Sequence, residues 1–151
     1  MSVVAARFAA VVAGLWAGIL LCVAAIAAPA AFATLALADA GRFVERVFAQ
    51  EAYLSLGVAI VLFVIERQRS RELAAASVGS VFSANLVLLL AALFCTIAGY
   101  FAVQPMMAAA RAAQGALSFG TLHAVSASLF ALKGLLVLAL TWRLSSAAKT
   151  S

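Results

Sequence analysis

Residues 119–142 read FGTLHAVSASLFALKGLLVLALTW, with His123 near the start and Lys133 well inside. An imidazole can relay a proton, ligate a metal or hold an anion. An ammonium among hydrocarbon must be neutral, paired or close to water, because a lysine at the centre of a spanning helix costs at least about 2.5–3.5 kcal/mol on insertion scales. At about 100° per residue, Ser126, Phe130 and Lys133 fall within roughly 80° of His123, and Thr141 returns into line with it. The polar side chains therefore form one stripe, expected to face protein rather than lipid. Lys133 lies about 15 Å deeper along the axis than His123, and about nine residues separate it from Arg143, so its amine would have to climb roughly 13 Å to the interface there, further than its side chain can snorkel.

Other polar residues reach the level of His123. Glu51 lies near the start of another apolar stretch, Gln104 ends a third, and Arg111 follows it. Carboxylate, amide, guanidinium and imidazole at one level could bind an anion, relay a proton or hold a metal. Glu51, Gln104, Arg111, His123 and Lys133 are thus the candidate ligand-binding set. The plain structural alternative pairs Glu51 with Arg46 or Arg111 as a tether and leaves His123 capping a helix at the interface. For Lys133 the expected neighbours are Ser83, Asn85 and an inward-reaching Glu66.

Cys22, Cys95, Met106, Met107 and His123 include the donor types that copper(I) prefers. No C-x-x-C, M-x-x-M or H-x-x-x-H spacing organises them, so no metal site is assigned. The sequence contains no G-x-S-x-G, Walker loop, paired acids or twin-histidine helix. With one histidine, bis-histidine haem within one chain is impossible, whereas a single axial ligand is not. The expectation is no catalytic residue, no cofactor and no enzymatic activity. A membrane redox enzyme or cofactor carrier using His123 and Lys133 is the competing class.

The elements that must position these residues follow from composition. The 151 residues are 68% hydrophobic and 10% charged, against about a quarter charged in a soluble domain, so a water-facing surface cannot be covered. Four stretches provide the roughly 20 apolar residues that a spanning helix needs: about 8–28, 46–65, 82–103 and 119–142. The first resembles a signal peptide at AIAAPAAFA, but its apolar core exceeds the 7–15 residues of such signals, and it is expected to be retained. A bilayer also accounts for the net charge of +5 better than nucleic acid does, since the longest basic run, ERQRSRE, carries no interleaved aromatics. Cys22 and Cys95 are expected to be buried small residues rather than a disulfide.

Arg7, Arg67, Arg69, Arg71, Arg143 and Lys149 fall on one side of the four spans, and Arg42, Arg46 and Arg111 on the other. Cytoplasmic loops carry the excess of basic residues, which predicts both termini in the cytoplasm of a bacterial inner membrane. Between the first two spans, Phe43, Val44, Val47 and Phe48 share one helical face opposite Arg42, Glu45 and Arg46, an amphipathic lead-in at the interface or an outward extension of the second helix. QPMMAAARAAQGALS predicts a short helical loop broken at Gly115. Ala6, Ala10, Gly14, Gly18 and Cys22, spaced by four, predict a small-residue packing face centred on Gly14 and Gly18. That face serves the bundle itself or a second copy.

LWAGILLCVAAIAAPAAF, AGRFVERVF, QPMMAAAR and FGTLHAVS occur in this order. The pattern is similar to the bacterial family called domain of unknown function 4149, relatives of transmembrane protein 205, over Leu15 to about Leu138. The resemblance rests on Trp16, Gly18, Pro29, Phe32, Gly41, Phe48, Pro105, Arg111, Phe119, His123 and Ser126. Leu129 and Phe130 stand where that family usually has an asparagine. The resemblance implies a small four-helix integral membrane protein and supplies no reaction. The expected molecule is an all-α four-span bundle in one domain, a transport, permeability or accessory component. Its partner is the lipid bilayer, with a homo-oligomer or a membrane partner protein possible and no nucleic acid.

Overall fold

The computed structural model describes residues 3–77, 80, 82–114 and 116–149. The first span comprises α1 (Val3–Cys22), a π-helical stretch (Val23–Ala27) and α2 (Ala28–Thr34). The second is a single helix, α3 (Leu37–Ala75). The third comprises α4 (Ala84–Thr96), a π-helical stretch (Ile97–Val103) and α5 (Gln104–Arg111), and the fourth is α6 (Phe119–Lys149). All four are long and apolar enough to cross a membrane.

Each π stretch leads directly into a helix with proline in its first turn, Pro29 in α2 and Pro105 in α5. Proline has no N–H to donate, and its ring collides with the carbonyl four residues back, so the preceding turn widens. The sequence marks both places by the proline alone.

The 39 residues of α3 extend over about 58 Å, nearly twice the hydrocarbon thickness. The amphipathic lead-in around Arg42–Phe48 is the beginning of this helix, which starts at Leu37, nine residues before the expected start of the span. The third span ends in a Schellman arrangement: Gln114 N–H donates to the Ala109 carbonyl and Ala113 N–H to that of Ala110, with Ala113 at φ 56°. An alanine thus occupies the left-handed position that glycine usually takes. The break expected at Gly115 lies outside the described residues.

The helices form a ring in which α1 and α4 each pack against both α3 and α6. This places α3 and α6, which run parallel, across the diagonal from each other. The core at the Arg143 end joins Trp16, Leu20, Leu62, Leu89, Val137 and Leu140, with Ala9, Ala13, Ala17, Ala59 and Ala92 between them. Small residues permit the close approach on which packing in lipid depends. The outer faces carry Leu15, Ile60, Phe94 and Leu135, each more than 60% exposed. Lipid accepts such a surface and water does not. The protein is a multi-pass, all-helical membrane bundle.

The small-residue stripe packs only in part. A Cβ at Gly14 would lie 3.7 Å from Thr141, whereas one at Gly18 would meet nothing within 4 Å. Gly18 and Cys22 are exposed, so Gly18 is not a packing residue within this chain. Steps of four advance about 40° round a helix of 3.6 residues per turn, and a stripe that starts inside at Ala6 has turned outward by Gly18. The face that stays inside is Ala9, Ala13, Trp16, Ala17 and Leu20, spaced by threes and fours.

Candidate functional site

Lys133 forms a salt bridge with Glu51. Its Nζ donates to both carboxylate oxygens at 2.8 Å, and the two residues are 3% and 4% exposed. The Ser55 hydroxyl donates to Glu51 Oε1, and Trp16 Nε1 donates to Ser55 Oγ at 2.8 Å. The ammonium also lies 4.9 Å from the centre of the Phe130 ring, within cation–π range. A buried charge is therefore held by an opposite charge, a hydroxyl relay and an aromatic face, all supplied by α1, α3 and α6.

This pairing differs from the expected one. Glu51 was expected beside Arg46 or Arg111, and Lys133 beside Ser83, Asn85 and Glu66. From Leu37 to Glu51 and from Phe119 to Lys133 there are fourteen steps each. In parallel helices that begin at the same end of the bundle, this puts both residues about 21 Å in, at one depth. Starting the second span at 46 made Glu51 look superficial. Side chains also lean toward the N-terminus of their helix, which carries Lys133 toward Glu51 and away from Glu66.

Glu66 and Asn85 belong to a second layer. Asn85 Nδ2 donates to Glu66 Oε2 at 3.0 Å and Asn85 Oδ1 accepts from Arg143 Nε at 2.8 Å, while Arg69 reaches Glu66 Oε1 at 3.5 Å. Ser83 caps α4 by accepting from the Leu86 N–H at 3.2 Å.

The remaining candidates gather at the other end. Gln104, Arg111 and His123 all line a cleft of about 1000 Å³. Arg111 pairs with Glu45 at 3.4 Å, both about half exposed, and its guanidinium lies 4.9 Å from the Phe119 ring. Phe119 in turn stacks on His123, 5.8 Å between centres and 18° apart. Glu51 and Lys133 instead line a pocket of about 30 Å³ with Cys95, Thr96, Tyr100 and Gln104, room for about two waters. Phe48, Gln104, Ser126 and Phe130 line both spaces. Phe48 and Phe130 meet edge to face at 4.9 Å. The five candidates thus occupy two adjoining compartments rather than one, with Gln104 common to both.

Of the soft donors, Met107 lines the large cleft with His123, and the two cysteines lie elsewhere. Cys95 lines the small pocket, Met107 is buried against Val103 and Leu122, and Cys22 is exposed. Among the described residues no group of three His, Cys, Asp or Glu side chains could hold a metal ion. Sequence reasoning missed Ser55, and it named Trp16 only as part of the family pattern, not of the site. The four-residue step from Glu51 to Ser55 places both on one face of α3 and was the available signal.

The chain matches, over residues 11–116, the family described as a domain of unknown function (DUF4149). The matched segment contains Trp16, Glu51, Gln104 and Arg111 and ends before α6, so Phe119, His123, Ser126 and Lys133 lie beyond it. No curated protein and no solved structure matches the chain.

Proposed function

The chain belongs to the DUF4149 family, and we propose that it is a non-enzymatic transport or permeability component of a bacterial inner membrane, with both termini cytoplasmic. The orientation rests on the basic residues at the Arg143 end, which positive-inside loops require. A periplasmic reporter fused after Gln114 would be active and one fused at Ser151 silent.

The observation that supports transport is the shared wall between the two compartments. The large cleft reaches the bundle interior, and Phe48, Phe130, Ser126 and Gln104 line both it and the pocket that holds the Glu51–Lys133 pair. A buried ion pair is a poor source of stability compared with well-packed apolar side chains, while intramembrane charge commonly marks a substrate, ion or proton path. A species entering the small pocket would compete for one partner of the pair. The freed charge would then have to move or be neutralised, which couples occupancy to conformation.

Complementation of a deletion strain tests this. Lys133→Met keeps length and loses charge, and it should abolish complementation when scored at a protein level matched to the parent, since a buried carboxylate left unpaired also lowers stability. The exchanged pair, Glu51→Lys with Lys133→Glu, should restore the fold without restoring full function if the site handles charge of one sign. Full complementation by Lys133→Met would remove the pair from any pathway. A stoichiometric haem or flavin spectrum in the purified protein would replace the transport reading with a cofactor-carrying one.

A further inference from the structure

The large cleft has an anatomy that the transport reading does not use. The first span packs on α6 only through α1, and beyond Cys22 its π stretch and α2 lie against α3 instead. The corresponding parts of the third span, its π stretch and α5, stay in contact with α6. The first span therefore diverges from α6 toward the His123 end and leaves the cleft between them.

Its chemistry is graded along the bundle axis. Toward the middle the lining is aliphatic, including Leu20, Leu21, Leu135 and Leu138, while Arg42, Glu45, Gln104, Arg111 and His123 all lie at one end. From His123 to Leu138 is about 22 Å along α6, more than half the hydrocarbon thickness and so more than one leaflet. Leu21 and Leu135 are 51% and 65% exposed, which leaves the cleft open sideways to the bilayer. A polar end at the interface, an apolar channel of leaflet length and a lateral mouth describe the shape of one lipid molecule.

The polar end also has a charge pattern. Arg42 is paired with Asp39. Among the described lining residues, the other formal charges are Arg111 and Glu45, which lie 3.4 Å apart and are about half exposed. A contact this long and wet is weak, and its two groups can exchange each other for better partners. Phe119 holds the guanidinium in place. A headgroup with both a phosphate and an ammonium would satisfy the two together, the phosphate accepting from Arg111 and the ammonium donating to Glu45.

We propose that this cleft binds one zwitterionic phospholipid of the phosphatidylethanolamine type, its phosphate on Arg111, its ammonium on Glu45 and one acyl chain running between α1 and α6. The site goes beyond the transport reading and stands whether or not anything is transported. Gly134 lines the channel, and a Cβ there would meet nothing within 4 Å, so a large side chain at that position would occupy the space of the chain.

The full-length protein, delipidated in mild detergent, would be titrated with dioleoyl-phosphatidylethanolamine, dioleoyl-phosphatidylglycerol and oleate, with bound species counted by native mass spectrometry. One phosphatidylethanolamine per chain is expected, bound at least tenfold more tightly than the other two. Arg111→Gln should weaken both phospholipids about tenfold. Glu45→Gln should weaken phosphatidylethanolamine alone and erase its preference. Gly134→Phe should abolish binding of all three. The two rim variants alter exposed side chains and keep the test valid if Gly134→Phe does not fold. Absence of a bound lipid, a preference for phosphatidylglycerol or oleate, or a selectivity unchanged in Glu45→Gln would overturn the assignment. Loss of complementation by Lys133→Met with lipid binding intact would separate this site from the proposed pathway.

Discussion

Two buried carboxylates on α3 are neutralised in different ways. Glu51 and Glu66 are both buried, 4% and 1% exposed, and lie about 22 Å apart along the helix. Glu51 receives both its strong bonds from one ammonium, Lys133, inside the bundle. Glu66 is shared between an amide, Asn85, and a guanidinium, Arg69, that is about a quarter exposed, with Arg143 completing the set through Asn85. Depth explains the difference. Near the end of the bundle, long cationic side chains can hold a carboxylate while keeping part of the charge toward water. At the level of Lys133 the side chains of both partners are buried, neither can reach the end of the bundle, and a direct ion pair neutralises them.

The contrast breaks most sharply if one charge of the inner pair is removed. Lys133→Met leaves Glu51 buried with Ser55 as its remaining hydrogen-bond partner among the described residues, which should cost about 3–5 kcal/mol in detergent unfolding. Glu51→Gln combined with Lys133→Met should recover most of that loss, because no uncompensated charge is left. A double variant no better than the single one would mean that the pair also positions its neighbours.

The layer at the Arg143 end should respond less. Asn85→Ala removes the 3.0 Å donor of Glu66 and leaves Arg69 at 3.5 Å, a loss of about 1–3 kcal/mol. The partly exposed cations can shift toward the carboxylate and limit the damage. A loss as large as that of Lys133→Met would refute depth as the distinction between the layers.

The smallest effect is expected where neither layer is touched. Gly18→Leu adds a side chain where nothing lies within 4 Å, and the melting midpoint of the single chain should stay within about 0.5 kcal/mol of the parent. A marked drop accompanied by a change in subunit number would show that another copy covers this face, and the variant would no longer serve as a baseline for the two layers.

Much of the architecture was legible in local sequence. The four spans follow from apolar runs of membrane length, and the polar stripe on α6 follows from its period. Arg111 and His123 were expected at one level because each lies beside a span end, and they line one cleft. The errors had a common origin in assumed registers. Placing the second span at 46 put Glu51 near the surface, and reading Gly14 and Gly18 as one face ignored the drift of a four-residue step. The asparagine that the family resemblance led one to look for is absent, and the lysine one turn beyond is paired with an acid instead.

By itself the amino-acid order determined that this chain crosses a membrane, how many times, and that Lys133 must be compensated, because transfer to hydrocarbon acts on each stretch separately. Which group compensates it was decided only in the assembled bundle. Glu51 is 82 positions away, and the two share a depth because α3 and α6 begin at the same end and oppose each other across the diagonal. The cleft is likewise a tertiary property. Two spans carry the same π stretch and proline, yet only the first diverges from α6, since the outcome depends on the neighbour against which each bent segment can pack.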